Sequence, residues 1–358
     1  MVRFSLLICI SLGAACATGP QTPATTTPRG AFQEEAQEAP LPNSAVRTAD
    51  GTTLEWDTFM SVLGRARLIL LGETHDNAEH HRLQAAIYRD LAAANLKPPS
   101  AVFEMLDADD HATLNAALAA GPAEPQTIAT AVQWDQSGWP AFPLYEPIFA
   151  EVLAAEGKIL PAGLPRQQAM TLADGRAFEP LGPYTAKVNR RYNLRQALPE
   201  ALQASQRDLM QQSHCGMLPE EMLDGMVHIQ RVRDALMAEG LRLGLGKAQE
   251  HQAILIAGKG HVRRDVGVPQ LLTQIGLGPV VTVGLVEQPT HHNAPQPTLT
   301  AEMADHFDYI IWTQPGPEKD HCAELKQRFG QHGKHGKHGQ AVGDLQDAGA
   351  ERSPNGAP

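Results

Sequence analysis

Six short apolar runs punctuate the middle of the chain: Arg67–Glu73 (RLILLGE), Ser100–Met105 (SAVFEM), Lys158–Pro165 (KILPAGLP), Ala253–His261 (AILIAGKGH), Val280–Leu285 (VVTVGL) and Tyr309–Trp312 (YIIW). A strand with one wet face alternates apolar and polar residues. Continuous runs rich in Ile, Leu and Val read instead as strands buried on both faces. Helical segments lie between them, at Asn77–Ala94 and Pro147–Ala155, with at least two more in a long insert from about 167 to 250. From Pro219 to about Leu243, Met222, Met226, Ile229, Val232 and Leu236 recur at helical spacing and form a stripe for the core. Gln230 and Asp234 share another face of that helix, one turn apart, suited either to a polar cavity or to solvent. Strands alternating with helices predict an α/β fold: a mostly parallel central sheet flanked by helices, with a helical insert around 167–250.

The ends of the chain break this pattern. Arg3 precedes an apolar run, Phe4–Ala15, that is too short to span a bilayer and reads as a signal peptide. Cys16 follows Gly13-Ala14-Ala15, the small residues a lipoprotein signal places before its lipidated cysteine; the leucine usual three places earlier is displaced to Leu12. Residues 1–16 are therefore expected to be a lipoprotein signal with Cys16 lipidated, and ordinary secretion with cleavage near Ala15 or Ala17 is the alternative. An exported, lipid-anchored chain of a Gram-negative cell goes by default to the outer membrane. Residues 17–44, rich in Pro, Thr, Gln, Glu and Ala, read as a flexible tether, and residues 45–315 as the folded domain. Residues 316–358 read as a polar, disordered tail whose repeat HGKHGKHG (His332, His335, His338) offers loose metal binding or no role. With Cys9 lost with the signal and Cys16 lipidated, Cys215 and Cys322 remain for a disulfide in an oxidising compartment, or stay as free thiols.

Composition narrows the partners. A hydrophobic share of 42% supports a packed core. A net charge of −11, from 29 basic and 40 acidic residues, argues against nucleic acid, which needs clustered cations. It argues equally against docking on anionic lipid by charge alone.

Ligands of open parallel sheets bind beyond the carboxyl ends of the strands, so the residues that follow each apolar run carry the candidate chemistry. They are Glu73 with His75, Glu104, Arg166 and His261. Two imidazoles and two carboxylates can bind a divalent metal with water, or work as acid and base; they can also simply cap helices. His80 and His81, on the next helix, are more readily structural. In a chain only 5% aromatic, the segment from Gln133 to Phe149 holds Trp134, Trp139, Phe142, Tyr145 and Phe149, broken by prolines. It can be a lid or wall for a flat apolar ligand, or a satellite core under a loop. Tyr145 adds a phenolate able to ligate ferric haem iron.

The motifs LLGETHDNAEHH, VFEM, QSGWP with Tyr145 after it, HCGMLPEEM, QRVRDALMA and AGKGHVRRDVGVP resemble the ChaN-type haem-binding uptake lipoproteins, relatives of the Tiki/TraB and erythromycin esterase proteins, over roughly residues 45–315. The resemblance implies haem binding at the outer membrane in iron acquisition, a possible haem receptor as partner, haem shared across a homodimer, and a tyrosine on the iron. Carried onto this chain, that tyrosine is Tyr145, with Tyr184 and Tyr192 also available, and a histidine beside it could be His75, His214 or His261. Arg263 or Arg264 would pair with haem propionates, and Glu73, His75, Glu104, Arg166 and His261 would line the polar pocket. Enzymes of the wider superfamily use Glu and His at the matching positions for metal-dependent peptide or ester hydrolysis, which makes a hydrolase with a divalent metal the second reading. A surface interaction module with a vestigial pocket is the third.

Overall fold

Both faces of the central strands are covered, which is why their sequences do not alternate. The computed structural model describes residues 40–173, 183–249, 251–288, 297–317 and 320–332. The signal, Cys16, nearly all of the tether, His335, His338 and the side chain of His332 lie outside them. The strands are β1 (Ser44–Arg47), β2 (Thr53–Glu55), β3 (Leu68–Glu73), β4 (Ser100–Asp107), β5 (Ile159–Gly163), β6 (Ala253–Gly258), β7 (Val280–Glu287) and β8 (Tyr309–Thr313). They form one sheet in the order β2-β1-β8-β7-β3-β6-β4-β5. Pairs from β8 to β5 are parallel, and β1 pairs antiparallel with both β2 and β8.

The six apolar runs all become strands. The edge pair β1–β2 escapes that reading because SAVR and TLE are too short and polar to stand out. Along β3, Leu68 and Leu70 face one core and Ile69 and Leu71 the other, so the period of two sorts a uniformly apolar run onto two faces. The helices Trp56–Leu63, Ala78–Ala94 and Glu146–Ala154 cover the second face. The insert covers the first with Arg166–Ala173, Pro183–Arg191, Glu200–Ser213 and Glu220–Gly244, four helices where at least two are expected.

Glu220–Gly244 is the long helix of the structure, and its stripe is buried at Met226, Ile229, Val232 and Leu236, with Met222 half covered. It lies close on the sheet at Gly240, where a Cβ would come 2.7 Å from Val102 Cγ1. The expected disordered tail is corrected in its first part. Residues His321–His332 form a helix, anchored by buried Leu325 and by a disulfide from Cys322 to Cys215. The bridge spans 107 residues of sequence. Its polar composition hid this helix, since one buried leucine and one cystine do the anchoring. Among the described residues no helix is long and apolar enough to cross a membrane.

Candidate functional site

β3, β4 and β6 stop at the same edge, and Glu73 is paired in register with Gly258. Three of the residues expected from strand ends therefore meet, and His75 joins them from the turn after β3. Glu73 is fully buried. Its Oε1 accepts from His75 Nδ1 at 2.8 Å and from the Tyr145 hydroxyl at 2.9 Å. Its Oε2 accepts from Gln84 Nε2 at 2.6 Å and lies 3.4 Å from His81 Nε2.

Glu104, on β4, anchors the second half. Its Oε2 accepts from the Gly258 amide at 2.8 Å; its Oε1 takes Arg233 and lies 3.1 Å from His261 Nε2. His261 Nδ1 lies 2.6 Å from Asp234 Oδ1 and 3.1 Å from Gln230 Nε2. The polar face of Glu220–Gly244 thus points at a polar interior rather than at solvent. His75 Nε2 faces Glu104 Oε2 across 3.8 Å. The result is an alternating row, Glu73–His75–Glu104–His261–Asp234, with Arg233 at its centre. Gly258 makes room for it, because a Cβ there would sit 2.9 Å from His75 Nε2.

Charge in the row is shared. Burial works against ionising Glu73, but His81 and the bond from His75 outweigh it and hold the carboxyl well below its usual range. Burial likewise opposes the Glu104 charge, and His261, Arg233 and His75 hold that carboxyl low. Burial disfavours charge on the rings too, yet Glu104 and Asp234 push His261 up to about 9, and Glu104 and Glu73 raise His75. Burial raises Asp234, and His261 offsets only part of that. A buried ionic array of this kind is costly unless every member is matched; here the carboxylates of Glu73 and Glu104 are fully partnered, while both ring nitrogens of His81 and Oε1 of Gln84 are buried without a hydrogen bond.

Beside the row opens a cleft of about 320 Å³, lined by Glu104, Met105, Asp107, Trp139, Arg166 and Arg233 among others. Trp139 is the link between the two: its ring meets His75 edge-on, centroids 4.8 Å apart. The other aromatics of that segment turn inward. Trp134, Phe142, Tyr145 and Phe149 pack on one another, so the segment is both a cleft wall and a satellite core.

Three expected roles change. Tyr145 is fully buried, its hydroxyl bonded to Glu73 and its ring stacked on His81 at 4.0 Å, and burial with Glu73 beside it drives its acidity far from phenolate formation. As placed, it is a donor to Glu73 and not an open iron ligand, although His75 Nδ1 does lie 3.3 Å from its oxygen. Tyr192 is buried against Glu239, and His214 bonds Met210 O, both within the helical insert. Arg263 and Arg264 do not line the cleft; neighbouring Asp265 and Asp308 take them. Among the described residues no three His, Cys, Asp or Glu side chains converge so as to hold a metal ion. Glu73, Glu104 and His261 are each engaged with neighbouring side chains of the row.

Sequence reasoning missed Arg233, His81 and Gln84 as members of the row. His81 and Gln84 share a helical face three residues apart on Ala78–Ala94, and Arg233 adjoins Asp234; those spacings were the available signals. His80 is structural: its Nδ1 accepts from the Thr74 amide at 2.8 Å and its Nε2 donates to Thr313 Oγ1 at 2.9 Å, and burial keeps it neutral.

The profile of the family described as haem-binding uptake, Tiki superfamily, ChaN, matches residues 59–272. Among solved structures, the ChaN protein of Campylobacter jejuni, studied for cofacial haem binding, covers 76% of this chain and 98% of its own at 22% identity, with a TM-score of 0.58. That likeness shows a shared fold. The type III effector HopBA1 aligns over 73% of this chain and 93% of its own at 11% identity and a TM-score of 0.39. The erythromycin esterase EreC aligns over 72% and 81% at 14% identity and a TM-score of 0.36. No curated protein matches the sequence.

Proposed function

The chain belongs to the haem-binding uptake family ChaN of the Tiki superfamily, and from that membership we propose that its cleft binds haem, on an outer-membrane lipoprotein that serves iron acquisition. The make-up of the cleft carries the reading. Met105, Val132, Trp139 and Leu164 offer apolar wall for a macrocycle, and Arg166 and Arg233 offer cations for carboxylates. Arg233 is bonded to Glu104, and Arg166 on the same cleft wall would offer its cation to a propionate.

Bound haem would supply a Lewis-acidic iron and a wide apolar face. The group assigned to the iron is His75, which would have to bind as the neutral imidazole, since Glu104 and Glu73 raise its pKa, and to be reached past Trp139 from the cleft. Its Nδ1 donates to Glu73, the second-sphere carboxylate that metal-bound imidazoles commonly have, and its Nε2 is 3.8 Å from the nearest carboxylate. Tyr145 acts one step back, holding Glu73. Glu104, His261 and Asp234 carry charge beneath the cleft.

The lipid anchor rests on the apolar run Phe4–Ala15 and on Cys16 behind small residues. A homodimer that brings two haems face to face is in keeping with the cofacial haem of the Campylobacter jejuni protein. A haem receptor would be the natural partner of such an uptake protein. Titrating the chain with hemin tests the core of the proposal: a Soret shift saturating at a fixed ratio is expected, and Arg166→Ala should weaken binding roughly tenfold. Absence of any shift in the wild type would sink it.

A further inference from the structure

Asp107 ends β4 in the wall of the cleft, and among the described residues no hydrogen bond or ion pair reaches its carboxylate. Every other acid nearby has a partner or more water. Glu104, three residues earlier on the strand, is held by Arg233 and Gly258. Asp109, on the turn that follows, accepts from Gln168 of the helix Arg166–Ala173 at 2.8 Å. Asp110, further along the same turn, is part-buried like Asp107, accepts a hydrogen bond from the Asp107 backbone and also lines the cleft. The remaining lining charges are Arg166 and Arg233, and the aromatic segment contributes only neutral Gln133, Gln136 and Ser137. Asp107 is thus a half-buried carboxylate facing the space in which an anionic ligand would put its carboxylates.

We propose that Asp107 gates the cleft for anionic ligands, admitting the propionate edge of haem when protonated and repelling it when ionised. The inference rests on the haem reading above and adds its regulation. Burial, with Asp110 and Asp109 beside it, pushes Asp107 up to about 6, so its charge changes in a range cells and their surroundings visit. Asp110 is raised in the same direction, chiefly by burial. Glu104 is held low and His261 high, so neither changes charge across that range. The sign follows from linkage: a ligand anion favours the protonated form and raises the Asp107 pKa further on binding. Affinity is therefore greatest in acid, falls as pH rises through about 6, and levels off above the pKa of the bound state.

The test measures dissociation constants of hemin and of metal-free protoporphyrin IX from about pH 5 to about pH 8, on the full chain and on Asp107→Asn, Asp107→Glu and Asp110→Asn. Protoporphyrin keeps the propionates and removes any titration of iron ligands. For the wild type, affinity should fall roughly tenfold more than for Asp107→Asn, the equivalent of about one pKa unit of displacement on binding. Asp107→Glu should keep the fall, and Asp110→Asn most of it. Asp107→Ser gives the same readout if the amide variant does not fold. A wild-type profile in the neutral variants, for both ligands, overturns the gate while leaving haem binding standing. No binding of either ligand at any pH overturns the haem reading and the gate with it.

Discussion

Glu104 is held by Arg233, His261 and the Gly258 amide, all inside the fold. Removing its charge leaves a buried guanidinium and a protonated imidazole without their counter-ion, and puts an amide donor where one acceptor oxygen was. Glu104→Gln should therefore destabilise the protein by about 3 kcal/mol in denaturant unfolding; a loss under about 1 kcal/mol would mean the row is loosely coupled. His261 gives a pH signature. Its folded pKa of about 9 lies above the ordinary value of 6.5, so its contribution is complete below pH 6.5, declines above that, and is gone once pH passes 9. On the order of 3 kcal/mol rides on it. Melting temperature should fall between these limits in the wild type and much less in His261→Gln. Glu73, His75, Glu104 and His261 were legible because an abrupt end to an apolar run marks the edge of the sheet. Their partners were not, because which way a helix turns Arg233 or His81 is decided by packing, not by local spacing. Arg263 and Arg264 misled for the opposite reason: each has an acid within reach, Asp265 by sequence and Asp308 only through the fold.

At the scale of elements, the strand runs and the stripe of Glu220–Gly244 were readable because burial leaves a period in the sequence. What leaves no period was lost. β1 and β2 are short strands at one margin of the sheet with one buried alanine between them, and His321–His332 docks through Leu325 and a cystine. Two outcomes follow. Gly240→Ala forces a methyl into Val102, so it should destabilise by about 1–3 kcal/mol despite raising helix propensity; a neutral or stabilising effect would show that the helix rides higher on the sheet. Cys322→Ser opens a loop of 107 residues and should cost about 5 kcal/mol on the chain-entropy estimate. Early protease cleavage at the junction before residue 321 should accompany it, and unchanged resistance would contradict the anchoring role.

Over the whole molecule, the sheet order places β6 between β3 and β4, which brings His261 beside residues nearly two hundred positions earlier. Family membership supports haem as the ligand, and the proposal places it in the cleft between Trp139 and Glu220–Gly244, against its apolar wall and Arg166, with its iron toward His75. The sequence alone pointed to Tyr145 for the iron, and the fold turns that hydroxyl to Glu73 instead. Hemin titration followed by absorption spectra of wild type, His75→Ala and Tyr145→Phe separates these most directly. The wild type should give a saturable Soret shift, Tyr145→Phe should keep its shape with weaker affinity, and His75→Ala should lose it. A spectrum abolished by Tyr145→Phe and untouched by His75→Ala would contradict the site as described.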